Sequence, residues 1–181
     1  MAVKQKTYKQ MSRKEKKIAI AKDVIANIHL KNLNIQSGNA YMDSGEIYVE
    51  DDLEVLCKYL PSEKVAELLR PKCEFCALGA MMICKVAKFN NYEFNHNSYI
   101  DRDTTTEALK DAFSEDELED IEAAFELWSD RSGRVISLPD NIIKNWESIK
   151  NAEDRLLAIM QSIIDHNGVF RPEVKYEIYY V

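Results

Sequence analysis

The sequence predicts a mainly α fold: one helical domain around a buried central helix over residues 73–88. Three observations predict it. Glycine and proline are scarce, five and four in 181 residues, too few for the many turns of a sandwich or barrel. Apolar residues recur at three- and four-residue spacing in several segments, the signature of amphipathic helices. The stretch 73–88 is apolar nearly all round, which marks a helix enclosed by others. Hydrophobic residues make up 46% and charged residues 30%, ordinary for a globular chain of one-domain length.

Taken in order, residues 1–11 read as a flexible basic arm and 12–181 as the globular domain. Ser12 and Glu15 have capping-box spacing and open a helix over 13–30. Ile18, Ala21, Ile25 and Ile28 mark its inner face, with its lysines toward water. Turn clusters at Ser37–Asn39 and Asp43–Gly45 break 31–50 into short extended pieces. Asp51 or Asp52 caps a helix that Pro61 ends, and a short helix from Ser62 stops before Pro71. In 73–88 the small residues Cys73, Cys76, Ala77, Ala80, Cys84 and Ala87 form a stripe that admits a close neighbour. Residues 89–106 read as a polar and aromatic loop, and Thr106 as the cap of a helix to Phe113.

Ser114 and Glu117 repeat the capping-box spacing and open a helix to Trp128, with Leu118, Ile121, Phe125 and Trp128 inward. Asp130–Arg134 is a turn, and 135–139 is extended. Pro139 or Asp140 starts a helix to Ile149, and Asn151 starts the last one. Leu156, Ile159, Met160, Ile163 and Ile164 form its buried face, and Asn167-Gly168 ends it. The tail 174–181 is rich in β-formers and is expected to pair with 40–50 as a minor antiparallel element. An unpaired edge there would favour a homodimer.

No apolar run approaches the roughly 20 residues that span a bilayer, and none follows the basic N-terminus as a secretory signal would require. A cytoplasmic protein with reduced thiols is expected. Charge is divided along the chain: residues 1–22 hold eight cations against Glu15 alone, and 101–130 hold twelve carboxylates against Arg102 and Lys110. The basic end could touch nucleic acid through phosphates. The acidic segment could occupy a basic groove on a partner. The plainer reading is that the two ends serve solubility or fold onto one another.

Cys73-x-x-Cys76 suggests zinc, with Cys84, Cys57 or His96 completing the set, but a structural site needs four converging ligands. On one continuous helix Cys84 would lie about 12 Å beyond Cys76, so neither metal nor cofactor is expected. His29 and His166 fit helix C-termini, where the dipole favours a cation. His96, near Glu93 and Asp101, has the surroundings of a general base but no evident orienting partner. Nucleophile-elbow, phosphate-loop and paired-histidine metal motifs are missing, so the expectation leans away from an enzyme. Trp128, Arg131 and Arg134 surround a turn where guanidinium forks suit phosphate or carboxylate; with His96 they are the candidate ligand-binding residues.

Cys76-Ala-Leu-Gly-Ala80 and the segment Asp154–Pro172 resemble stretches of small phage and prophage-type bacterial proteins of unknown role. The resemblance covers about a sixth of the chain and implies provenance only: a phage-encoded or bacterial accessory protein. The function expected is a non-enzymatic binding or regulatory protein, such as a host-defence antagonist, acting on a host or bacterial protein through charged surfaces. The alternative is a small-molecule or nucleotide binder, or an enzyme, with its pocket at Trp128, Arg131, Arg134 and the 89–101 loop.

Overall fold

A computed structural model describes residues 6–38, 42–43, 60–89 and 101–176, with backbone alone at 42–43. Among these residues are seven α-helices: α1 (Arg13–His29), α2 (Ser62–Leu69), α3 (Ala77–Phe89), α4 (Arg102–Leu109), α5 (Glu115–Glu126), α6 (Asp140–Glu147) and α7 (Ala152–Asp165). Three two-residue strands accompany them: β1 (Asn34–Ile35), β2 (Met42–Asp43) and β3 (Glu74–Phe75). The helical class with a minor β element is thus as expected. No helix among the described residues is long and apolar enough to cross a membrane.

The centre is α3, which packs against α1, α2, α4 and α5. Every residue from Ala77 to Val86 is buried, and Leu78, Ala80, Met81, Met82, Ile83 and Cys84 have no exposed surface. The helix starts four residues later than the sequence pattern suggests. Glu74 and Phe75 are instead the middle strand of the sheet, parallel to β1 and antiparallel to β2. Cys76 leads into α3, its carbonyl accepting from the Ala80 amide at 3.0 Å. A pattern apolar on all sides carries no period to separate a buried strand from a buried helix.

Within the 40–50 segment, Met42 and Asp43 pair with β3, whose other neighbour is β1. The expected pairing of 40–50 with the C-terminal tail falls mostly outside the described residues. Residues 177–181 of that tail, the 51–59 part of the expected second helix, and the 90–100 part of the polar loop lie outside the described residues.

Both capping boxes are present at Ser12/Glu15 and Ser114/Glu117. Asn151 caps α7, and its end at His166 is followed by Asn167 (φ 62°) and Gly168 (φ 89°). On α7, Leu156, Ile159, Met160 and Ile163 are buried and Ile164 partly so. Asp101, not Thr106, caps α4, its carboxylate accepting from the Thr104 amide at 2.8 Å. Thr106 then lies inside the helix.

The N-terminal end is more deeply engaged than its charge suggests. Helix α1 buries Lys17, Ile20, Ala21, Asp23, Val24, Asn27 and Ile28, a face rotated from the expected one, with Ile25 only partly buried. In the segment expected as an arm, Tyr8–Gln10 is a turn of 3₁₀ helix with Tyr8 buried, while residues 1–5 lie outside the described ones. The Tyr8 ring stacks on Phe89 at 4.5 Å.

Candidate functional site

The candidate residues separate into an exposed loop and one residue outside the described structure. His96 is the latter. Trp128, Arg131 and Arg134 belong to the connection between α5 and α6.

That connection is built from the end of α5. Leu127 takes the left-handed conformation (φ 60°), and the Trp128 amide reaches back to the Ala123 carbonyl at 2.9 Å. This closure frees the chain from the helix while satisfying its last carbonyls. A left-handed non-glycine residue costs roughly 1–2 kcal/mol, and Leu127 is held there by packing against the core. Residues 129–138 then form a loop closed at its base. The Leu138 amide donates to the Trp128 carbonyl at 2.9 Å, and the Asp130 amide to the Leu138 carbonyl at 3.0 Å. Leu138 is buried and anchors the return.

The cations in the loop are placed differently from one another. The Arg134 guanidinium lies 4.3 Å above the Trp128 ring, a stacked cation–π arrangement. Arg131 pairs with Asp140 at 3.1 Å, through the same carboxylate oxygen that Lys144 reaches at 3.1 Å. Arg134 thus serves Trp128, and Arg131 the start of α6. At the tip, Val135 is fully exposed (104% of its reference area), and Gly133 turns the chain at φ 70° with open space around it. Val135 and Lys144 were missed from the sequence. The available signal was one aliphatic residue directly after the Arg-Ser-Gly-Arg turn.

The acidic segment is largely occupied from within the molecule. Lys17 pairs with Glu117. Lys16 and Lys85 both reach Asp111, at 3.0 and 2.6 Å. Arg102 lies 3.1 Å from Glu119, 3.4 Å from Glu122 and 3.6 Å from Glu115. The Arg13 guanidinium donates to the carbonyls of Lys110, Ala112 and Phe113. The basic end thus folds onto the acidic one. Asp120 stands apart: burial, then the carboxylates of Asp116, Glu119, Glu117 and Glu173, push its carboxyl above the ordinary range.

The thiols are inert by position. Cys73, Cys76 and Cys84 are reduced and buried. Burial pushes Cys76 up to about 12 and Cys84 higher still, where the nucleophilic thiolate is scarce at neutral pH. Among the described residues no cluster of histidine, cysteine, aspartate or glutamate could hold a metal; Cys57 and His96 lie outside them.

No family model matches the chain, and no match appears among curated proteins or solved structures.

Proposed function

We propose that this is a non-enzymatic binding protein that acts on another macromolecule, with the loop from Trp128 to Leu138 as its contact element. The carrying observation is the combination of a closed base with a fully exposed aliphatic tip. Two backbone hydrogen bonds, the Arg134–Trp128 stack and the Arg131–Asp140 pair fix the loop, while Val135 projects into water. A pre-formed loop loses little conformational freedom on binding. Trp and Arg are also the residue types that dominate binding energy at interfaces.

The same geometry weighs against a nucleotide pocket here. The Trp128 face that would stack on a base carries Arg134. Provenance as a phage-type accessory protein with a host or bacterial partner belongs to this reading, supported by the Cys76–Ala80 and 154–172 resemblance. Those residues lie mainly in α3 and α7, so they concern packing rather than the contact.

A photo-crosslinking residue at Val135, compared with one at exposed Lys22 on α1, tests the proposal in cell extract. Discrete adducts at 135 and none at 22 are expected. Equal labelling at both positions, or none at either, would sink it.

A further inference from the structure

Resting on that reading, we infer that the loop takes an acidic protein segment in which carboxylates alternate with aliphatic side chains. The loop and the start of α6 hold Arg131, Arg134 and Lys144 against Asp130 and Asp140, a net charge of +1 on a chain whose net charge is −7. Arg131 and Lys144 meet at one oxygen of Asp140, and Arg134 in the same loop lies over Trp128. Arg131 and Lys144 keep 75% and 63% of their side-chain surface exposed, so the Arg131 guanidinium and the Lys144 ammonium each keep donors for a second carboxylate. Guanidinium groups accept carboxylates with two parallel hydrogen bonds. Directly after Arg134 in the chain comes the exposed Val135, and next to it Ile136 packs partly against the core. An aliphatic tip in a loop that carries cations is complementary to an apolar recess bordered by carboxylates.

A nucleic acid matches the cations but not their surroundings. Helix α5 delivers Trp128, and its surface carries Glu115, Asp116, Glu119 and Asp120. Asp116 lies about 15 Å along that axis from Glu126, at 1.5 Å per residue. Screening at physiological salt acts over about 8 Å. A phosphate chain running from the loop along α5 would meet this stretch, whose carboxylates Arg102 offsets by a single charge, and the Trp128 ring is already covered by Arg134. A short acidic peptide is spared that repulsion, because its charges can end where the cations end.

The test uses the full chain and three fluorescent probes: a Glu/Leu peptide of about fifteen residues, its Gln/Leu counterpart, and an oligothymidylate of about the same length. Anisotropy titrations are run at low salt and at about 0.15 M. The Glu/Leu peptide is expected to bind at least about ten-fold more tightly than the other two, a difference of about 1.4 kcal/mol. Arg134→Ala and Val135→Asp should each weaken it about ten-fold, with Lys22→Ala unchanged and circular dichroism unaltered in all three. Equal binding of the Gln/Leu peptide, tighter binding of the oligonucleotide, or indifference to both loop variants would overturn the inference. Crosslinking from Val135 together with no acidic preference would condemn the partner chemistry and leave the contact loop standing. Failure of both would remove the loop as well.

Discussion

Gly168 shows how much one position can carry. It sits at φ 89°, and a Cβ added there would meet Lys14 Cγ at 2.9 Å and the Lys14 backbone at 3.2 Å. The end of α7 therefore docks on the start of α1 through the missing side chain. Gly168→Ala should destabilise the protein by about 2 kcal/mol or more, combining left-handed strain with the clash against backbone. Gly133→Ala, in open space at φ 70°, pays the conformational part alone. Equal losses in urea unfolding for the two variants would refute the docking role. The buried thiols give a second test at this scale. Cys73, Cys76 and Cys84 should react with a thiol reagent only as fast as the protein unfolds. Peptide mapping that finds any of the three labelled in the native state would contradict their placement.

At the scale of elements, the clamp between α1 and α5 rests on Glu117. Its carboxylate accepts from the Ser114 amide at 2.9 Å, completing the cap of α5, and receives the ammonium of Lys17. Lys17 is buried at 8% exposure. Glu117→Ala should cost about 2–3 kcal/mol, joining a lost cap to a stranded, nearly buried charge. Glu115→Ala, on the exposed side of the same turn, should stay within ~0.5 kcal/mol. Thermal unfolding that ranks the two alike would refute the clamp.

The two capping boxes were readable because their chemistry is local: a hydroxyl and a carboxylate three residues apart. The burial of Lys17 was not, since its partner is a hundred residues away and a lysine in a basic run reads as solvated. The early bounds of α3 failed for a related reason. Phe75 belongs to a sheet formed with distant segments, and nothing in Cys-Glu-Phe-Cys announces it. Arg131 and Arg134 were read on one turn beside Trp128, but Trp128 was expected as the last inward residue of the helix, which ends at Glu126, and the separate partners of the three are tertiary facts.

Across the whole molecule, the divided charge makes stability depend on pH in two opposite ways. Burial raises the carboxyls of Asp111 and Glu117. Hydrogen bonds from Lys85 and Lys16 to the first, and from Lys17 to the second, outweigh it and hold both below their ordinary values. The cost of burial falls on Lys85, whose ammonium is held below the usual lysine range despite Asp111. A depressed carboxyl stabilises the fold fully above its unfolded value, near 3.8 for Asp111 and 4.5 for Glu117. That stabilisation disappears as pH falls through the folded value, because the unfolded chain then binds protons first. Asp120 has the reverse sign. Burial and its acidic neighbours raise it, so the native state takes up its proton before the unfolded chain does. Stability from this group therefore grows as pH falls from neutrality. Together the two limbs predict a maximum on the mildly acidic side of neutrality, followed by a steep decline below the ordinary carboxylate range. Asp120→Asn should flatten the neutral limb and raise the melting temperature at pH 7 by ~2 °C, with little effect at pH 4. Asp111→Asn with Glu117→Gln should lower stability at pH 7 and flatten the acid limb. Melting temperatures collected from pH 3 to pH 8 decide it. A profile whose two limbs keep their slopes in these variants would mean that other groups govern the acid response, and that the internal neutralisation of the acidic segment contributes little to holding the fold.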